Sequence, residues 1–239
     1  MNQRIIMAIM AATALLFGAE EGAVTPLKTH TELSYMSTSG NTETTSLAFD
    51  AKGEKHWGRH GARAAAFAYL SEESGVESKN QWGVELNYDW ELTKRLAFNY
   101  MVAYKEDKFS GFDYQFTTGP GLVHKTVRTP AHALTLQGNL LYAADKRETG
   151  ETDTYASFKA GLLYEWKILE NLKFVEEANI RTQLSDLGNY FAYSKSSVQN
   201  KINSMLSMGI SYKIDYVNHP VVGKTSTDKT LLASLIIDY

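Results

Sequence analysis

The chain has 239 residues, a net charge of −3, no cysteine and only 4 prolines. The missing cysteines exclude disulfides and thiolate metal sites, and the small net charge indicates no strongly charged partner such as nucleic acid. The length suits one large β domain, and 14 tyrosines with 10 phenylalanines favour strands over disorder.

The first residues have the pattern of a secretory signal peptide. Arg4 supplies a positive charge, residues 5–17 form an uncharged and mostly apolar run, and Gly18 and Ala19 are the small residues at which we expect cleavage. An uncleaved anchor is the alternative, although a run of 13 residues is shorter than the roughly 20 that a membrane helix needs. We predict a signal peptide over 1–19, a short segment over 20–28 and one domain over 29–239.

Beyond this leader, apolar and polar side chains alternate with a period of two. In the clearest run Trp82, Val84, Leu86, Tyr88 and Trp90 share one phase. Successive side chains of a strand point to opposite faces, so each such run predicts a strand with one apolar and one more polar face. The pattern predicts twelve strands, near 29–38, 44–57, 61–73, 78–92, 95–106, 112–127, 131–145, 152–168, 171–184, 190–202, 205–218 and 226–239.

Two kinds of connection alternate between these strands. Short ones, such as 58–61 and 93–95, alternate with longer polar ones, such as 72–79 and 185–189. Short turns at one end and long loops at the other are typical of bacterial outer-membrane barrels, and an even number of strands puts both termini on the periplasmic side.

Three places fit the strand pattern less well. Residues 62–68 are rich in alanine, which suits a helix by propensity, and residues 194–201 are nearly all polar. Pro120 lies inside the sixth strand, where it removes a ladder hydrogen bond. We expect a β-bulge at Pro120 to accommodate it.

Alternation leaves open which face points inward. A soluble sandwich or lipocalin would bury the apolar face, whereas a membrane barrel exposes it. Most segments have roughly 11–15 residues, enough for the about 9–11 that cross a bilayer, and the four tryptophans lie towards segment ends, where aromatic girdles form. The last strand ends on an aromatic residue, Tyr239, and we expect the barrel-assembly machinery to recognise it. We therefore predict an all-β protein, a closed antiparallel transmembrane β-barrel in contact with the lipids of a Gram-negative cell outer membrane.

Several stretches resemble the salt-induced outer-membrane protein family, which is otherwise labelled as being of unknown function. The stretch from Ser39 to Thr44 resembles that family's Gly-Asn-Thr signature, and residues 104–112, 118–122 and 235–239 are similar to it as well. The chain departs from the family pattern at two places. Val123-His124 stand where glycine and an aromatic residue are commoner, and Tyr239 stands where phenylalanine is commoner. The resemblance implies a porin-like barrel and supplies no catalytic residues.

The polar face carries charges of both signs. If this face is inward, the charges either pair and close a narrow interior or line a selective pore. These readings lead to two functions: a narrow, weakly selective channel for small polar solutes or ions, or a structural or surface-receptor barrel without transport. The candidate lumen-lining residues are Asp50, Lys52, Glu54, Glu85, Asp89, Lys105, Lys159, Glu165, Arg181, Lys213 and Asp215.

A hydrolase is the weakest of the functional alternatives. Catalysis would need a histidine beside a nucleophile near the outer rim, but five of the six histidines map to the periplasmic end. Only His219 falls in an outer loop, and no nucleophile motif flanks it. No histidine pair has metal-ligand spacing on one strand face, and no glycine-rich phosphate loop is present. We predict no enzyme activity, no cofactor and no nucleic-acid partner.

Overall fold

The computed structural model describes residues 26–38, 43–221 and 223–239, which form twelve β-strands. The predicted signal peptide and the stretch 39–42 of the Gly-Asn-Thr signature lie outside the described residues. No helix among the described residues is long and apolar enough to cross a membrane. The strands are β1 (Lys28–Thr38), β2 (Thr44–Trp57), β3 (His60–Glu73), β4 (Val76–Glu91), β5 (Leu96–Asp107), β6 (Phe112–Arg128), β7 (His132–Arg147), β8 (Thr152–Lys167), β9 (Leu172–Gln183), β10 (Asp186–Lys201), β11 (Leu206–Val217) and β12 (Thr227–Asp238).

Each strand pairs antiparallel with its neighbours in the chain, and β1 pairs with β12 to close the barrel. At the closing seam, the backbone N–H of Thr29 donates to the carbonyl of Tyr239 at 2.6 Å. Beside it, His30 Nδ1 lies 2.6 Å from Asp238 Oδ1. The predicted closed antiparallel barrel of twelve strands is confirmed.

The predicted difference in loop length between the two ends is mostly wrong. One end has the short connections 58–59, 92–95, 129–131, 168–171 and 202–205, as expected. At the other end, the segments 72–79 and 185–189 are largely strand. Among the connections whose residues the structure describes, apart from residue 222, only 218–226 is long. The turn between β3 and β4 is just Ser74-Gly75, both with positive φ (51° and 76°), as a two-residue hairpin requires.

Pro120 is accommodated without the expected bulge. Thr118 is opposite Tyr142 and Gly121 is opposite Asn139, so two residues lie between these pairs on each strand and no residue is inserted. On the other side, Pro120 faces Tyr100 in regular register. The bulge prediction was therefore wrong, because the ladder tolerates the missing N–H without a shift in register.

The two doubtful segments are both strands. The alanines of 62–68 lie in β3, where Ala64, Ala66 and Ala68 are buried. The polar segment 194–201 lies in β10, which pairs along its length with β9 and β11. Pairing on both sides overrides the helix propensity of alanine and the absence of apolar side chains.

Burial alternates as the period-two pattern predicts, with the apolar phase outward. On β11, Met208 and Ile210 are exposed, whereas Ser211 and Lys213 are buried. Aromatic side chains gather outside the short-turn end, where Trp57, His60 and Tyr88 stack in sequence and His132 stacks on Trp166. The barrel thus presents an apolar outer surface and a polar interior.

Candidate functional site

A cavity of about 280 Å³ lies inside the barrel. Its walls come from strands on all sides of the barrel, and they combine charged, amide and aromatic side chains. Eight of the eleven predicted lumen residues line it: Asp50, Lys52, Glu85, Lys105, Lys159, Arg181, Lys213 and Asp215.

The remaining three predicted residues lie elsewhere. Asp89 is buried and accepts hydrogen bonds from Arg63 Nε at 2.8 Å and from Asn99 Nδ2 at 2.7 Å. Glu54 lies near the short-turn end and contacts His56. Glu165 is exposed near the end of β8 and takes no part in the cavity.

Sequence reasoning missed two carboxylates that hold cavity cations. Glu32 of β1 and Asp145 of β7 are both almost completely buried. Lys195 Nζ lies 2.8 Å from Glu32 Oε2, and Arg181 Nη2 lies 2.9 Å from Asp145 Oδ2. Glu32 alternates with Thr31 and Leu33, so the period of two carried a signal for its inward position.

Ion pairs bridge walls that are far apart around the barrel. Lys52 Nζ of β2 lies 2.6 Å from Glu177 Oε2 of β9, although four strands separate β2 from β9 by the shorter way around. Lys159 Nζ of β8 lies 3.0 Å from Glu85 Oε2 of β4. The lumen at this level is therefore narrow enough for single side chains to span it.

These bridging side chains remain accessible to solvent. The side chains of Lys52 and Glu177 are 49% and 35% exposed, although both point into the lumen. An ion pair that stays hydrated is weak, typically contributing about 0–1 kcal/mol. The side chains at this crossing are therefore not closely packed.

A cluster of amides occupies the lumen on the wall formed by β4 to β7. Asn99 Nδ2 donates to Asn87 Oδ1 at 3.1 Å, and Asn139 Nδ2 donates to Asn99 Oδ1 at 2.8 Å. Gln137 Nε2 donates to Asn99 Oδ1 at 3.1 Å and to Asn139 Oδ1 at 2.8 Å. Asn99 and Asn139 have no solvent exposure, so the centre of this network is fully buried inside the barrel.

Three lysines converge on one carboxylate in the lumen. Lys213 Nζ lies 3.1 Å and Lys79 Nζ lies 3.6 Å from Asp215 Oδ2, and the charge of Lys105 also acts on this carboxylate. Lys213 Nζ also lies 3.7 Å from the centroid of the Tyr69 ring, a cation–π distance. Positive charge therefore exceeds negative charge around Asp215.

The histidines take no part in this cavity. His30 contacts Asp238, His60 and His132 contact the tyrosine hydroxyls of the girdle, and His124 contacts Thr126. No group of three potential metal ligands of the histidine, cysteine or carboxylate type occurs within the described ranges. These contacts are those of structural side chains at strand ends.

The barrel and its lumen can now be compared with known proteins. A family model described as "Protein of unknown function, DUF481" matches residues 31–239. The chain belongs to this family. No curated protein is significantly similar in sequence to this DUF481 member.

Solved structures give the fold of this DUF481 chain a precedent. An outer-membrane channel from Pseudomonas putida F1 is similar with a TM-score of 0.56 at 8% identity, over 93% of this chain and 98% of that one. The NanC porin has a TM-score of 0.49 at 14% identity, over 89% of this chain and 98% of that one. The translocator domain of the autotransporter NalP from Neisseria meningitidis has a TM-score of 0.46 at 12% identity, over 98% of this chain and 93% of that one. The likeness in fold rests on the first of these.

Proposed function

We propose that this DUF481 protein is an outer-membrane barrel that acts as a narrow, weakly selective channel for small polar solutes or ions, and that it is not an enzyme. The observation that carries the proposal is the loosely packed ion pair across the lumen. Lys52 and Glu177 meet there yet keep about half and a third of their side-chain surface exposed. This exposed surface leaves room for water and small ions at the crossing.

Charge around the cavity supports weak selectivity. Six basic and four acidic side chains line it. Glu32 and Asp145 do not line the cavity but lie beside it, where they neutralise Lys195 and Arg181. A lumen with such interleaved charges favours neither ion sign strongly along most of its length.

The outer surface supports a membrane location. Leu33, Leu140 and Ile210 are large outward apolar side chains, and a soluble protein would leave such a band in water. The proposed lipid contacts include this band and the aromatic girdle. Tyr239 is 80% exposed at the end of the chain, where the barrel-assembly machinery could bind it. Membership of the salt-induced outer-membrane protein family is part of the same proposal.

Single-channel recording in a planar bilayer tests the function, with liposome efflux of glucose as a second readout. We expect small conductance steps with the purified, refolded barrel and slow efflux of glucose. Empty liposomes and heat-unfolded protein are the controls. Folded protein that gives neither conductance nor efflux would overturn the channel proposal.

A closed structural barrel is the second candidate function. The buried amides of Asn87, Asn99, Gln137 and Asn139 favour it, because a saturated network resists displacement by passing solutes. In that case the network would seal the lumen, and replacing Asn99 with Ala would raise conductance from zero.

A further inference from the structure

We propose that the cavity binds a small organic monocarboxylate, with the carboxylate against the ammonium group of Lys105. The inference rests on the proposed channel function and names a class of solute for the same lumen. It starts from Lys105, whose ion pair is the longest among the basic side chains that line the described cavity.

Lys105 differs from the other basic side chains of the cavity. Lys52, Lys159, Arg181, Lys195 and Lys213 each donate a hydrogen bond to the protein. Lys105 donates none to any residue that the structure describes. Its nearest carboxylate oxygen is Asp107 Oδ2 at 3.7 Å, and its side chain is 32% exposed. Lys105 lines the cavity, so its ammonium group can donate a hydrogen bond to a solute there.

Asp107 is a poor counter-ion for Lys105 because its oxygens are engaged elsewhere. Gln81 Nε2 donates to Asp107 Oδ2 at 2.8 Å. The backbone N–H of Phe109 donates to Asp107 Oδ1 at 3.2 Å. These two hydrogen bonds hold the carboxylate towards the β5–β6 turn, and Lys105 Nζ stays 3.7 Å from it, so the ammonium group can donate hydrogen bonds to a second anion.

The charge around Lys105 favours an anion over a cation. In the ion pairs that the described residues form, Lys79, Lys105 and Lys213 share two carboxylates, Asp107 and Asp215, which is an excess of one positive charge. Asp215 Oδ2 lies within ion-pair distance of two of these lysines, Lys213 at 3.1 Å and Lys79 at 3.6 Å, so one carboxylate is shared between two cations. A single negative charge would balance the group.

The rest of the cavity limits the size and character of the ligand. About 280 Å³ is room for a solute of roughly monosaccharide size. Phe191 and Tyr193 supply aromatic surface, and Gln115, directly opposite Lys105 in the sheet, supplies an amide. A monocarboxylate with a short hydroxylated or apolar body meets these groups, whereas an inorganic anion leaves most of the walls uncontacted.

Efflux of gluconate and of glucose from liposomes tests the inference in transport. Lys105→Gln removes the charge but keeps most of the side-chain length. The gluconate-to-glucose rate ratio should fall by about two- to fivefold, the range that one partly solvated ion pair supplies. Lys108→Gln, at an exposed pair with Glu77 outside the cavity, is the matched control and should leave the ratio unchanged. An unchanged ratio in Lys105→Gln contradicts the inference.

A binding measurement separates this inference from the channel function. The detergent-solubilised barrel is treated with a small amine-reactive ester that acetylates lysines. Mass spectrometry then measures the acetylation rate of Lys105 relative to that of Lys108. Gluconate should slow acetylation at Lys105 and glucose should not. Protection without efflux would end the channel proposal but keep the carboxylate site. Equal rates with both solutes would overturn the site whether or not the barrel conducts.

Discussion

Lys195 and Lys213 lie directly opposite each other on β10 and β11, and both side chains are buried inside the barrel. Like charges in this position destabilise a sheet. The two ammonium groups are neutralised separately: Lys195 Nζ lies 2.8 Å from Glu32 Oε2 and 3.4 Å from Asp50 Oδ2, and Lys213 Nζ lies 3.1 Å from Asp215 Oδ2. Lys195 is held by carboxylates of β1 and β2, and Lys213 by a carboxylate of its own strand, so each buried charge has its own counter-ion.

Replacing Lys195 with Met should destabilise the barrel. The change leaves the buried carboxylates of Glu32 and Asp50 without their cation, and removing one partner of a buried ion pair costs about 3–5 kcal/mol. Urea unfolding of the barrel in lipid vesicles measures the loss. Adding Glu32→Gln to Lys195→Met removes one of the two orphaned charges and should recover part of the stability. Equal stability of the single variant and the wild type would argue against this charge arrangement.

Replacing Ile210 with Arg tests the outward apolar face. Ile210 is 63% exposed and lies near the middle of the predicted membrane span of β11. An arginine near the bilayer midplane should cost about 2–4 kcal/mol, whereas Met205→Arg, in the adjoining turn, should cost about 0–1 kcal/mol. Vesicle-based unfolding of both variants measures the difference. Equal costs at the two sites would mean that Ile210 does not face lipid.

The strand positions were largely predictable because a period of two is a local property of the sequence. The same period placed Lys52, Glu85 and Lys213 in the interior. Which charges meet was not predictable, since Lys52 and Glu177 are 125 positions apart and meet only after the barrel closes. The segment 72–79 has a loop composition but extends the β3–β4 hairpin, because each strand satisfies the backbone of the other.

Replacing Gly119 with Ala tests the close approach of β6 and β7. A Cβ built at Gly119 would lie 2.1 Å from the carbonyl oxygen of Leu140, a backbone atom that cannot move without shifting the strand. We expect a loss of about 1–3 kcal/mol or failure to assemble. Gly161→Ala is the control, because its nearest neighbour would be 3.5 Å away and the change should stay within about 1 kcal/mol. Resistance of the folded barrel to heating in detergent, read by gel mobility, ranks the two variants, and the prediction is wrong if Gly119→Ala is as resistant as Gly161→Ala.

Neutralising the pair that crosses the lumen should open the channel. Lys52 and Glu177 join β2 to β9 across the lumen, so their side chains narrow the proposed pore. A partly exposed pair contributes about 0.2–1 kcal/mol, so without this attraction the two side chains should separate more often, by a factor of about 1.4–5. We therefore expect Lys52→Gln with Glu177→Gln to raise the mean single-channel conductance. The double change Lys108→Gln with Glu77→Gln removes an ion pair outside the cavity and should leave conductance at the wild-type level. If the first double variant conducts no more than the second, the Lys52–Glu177 crossing does not limit passage.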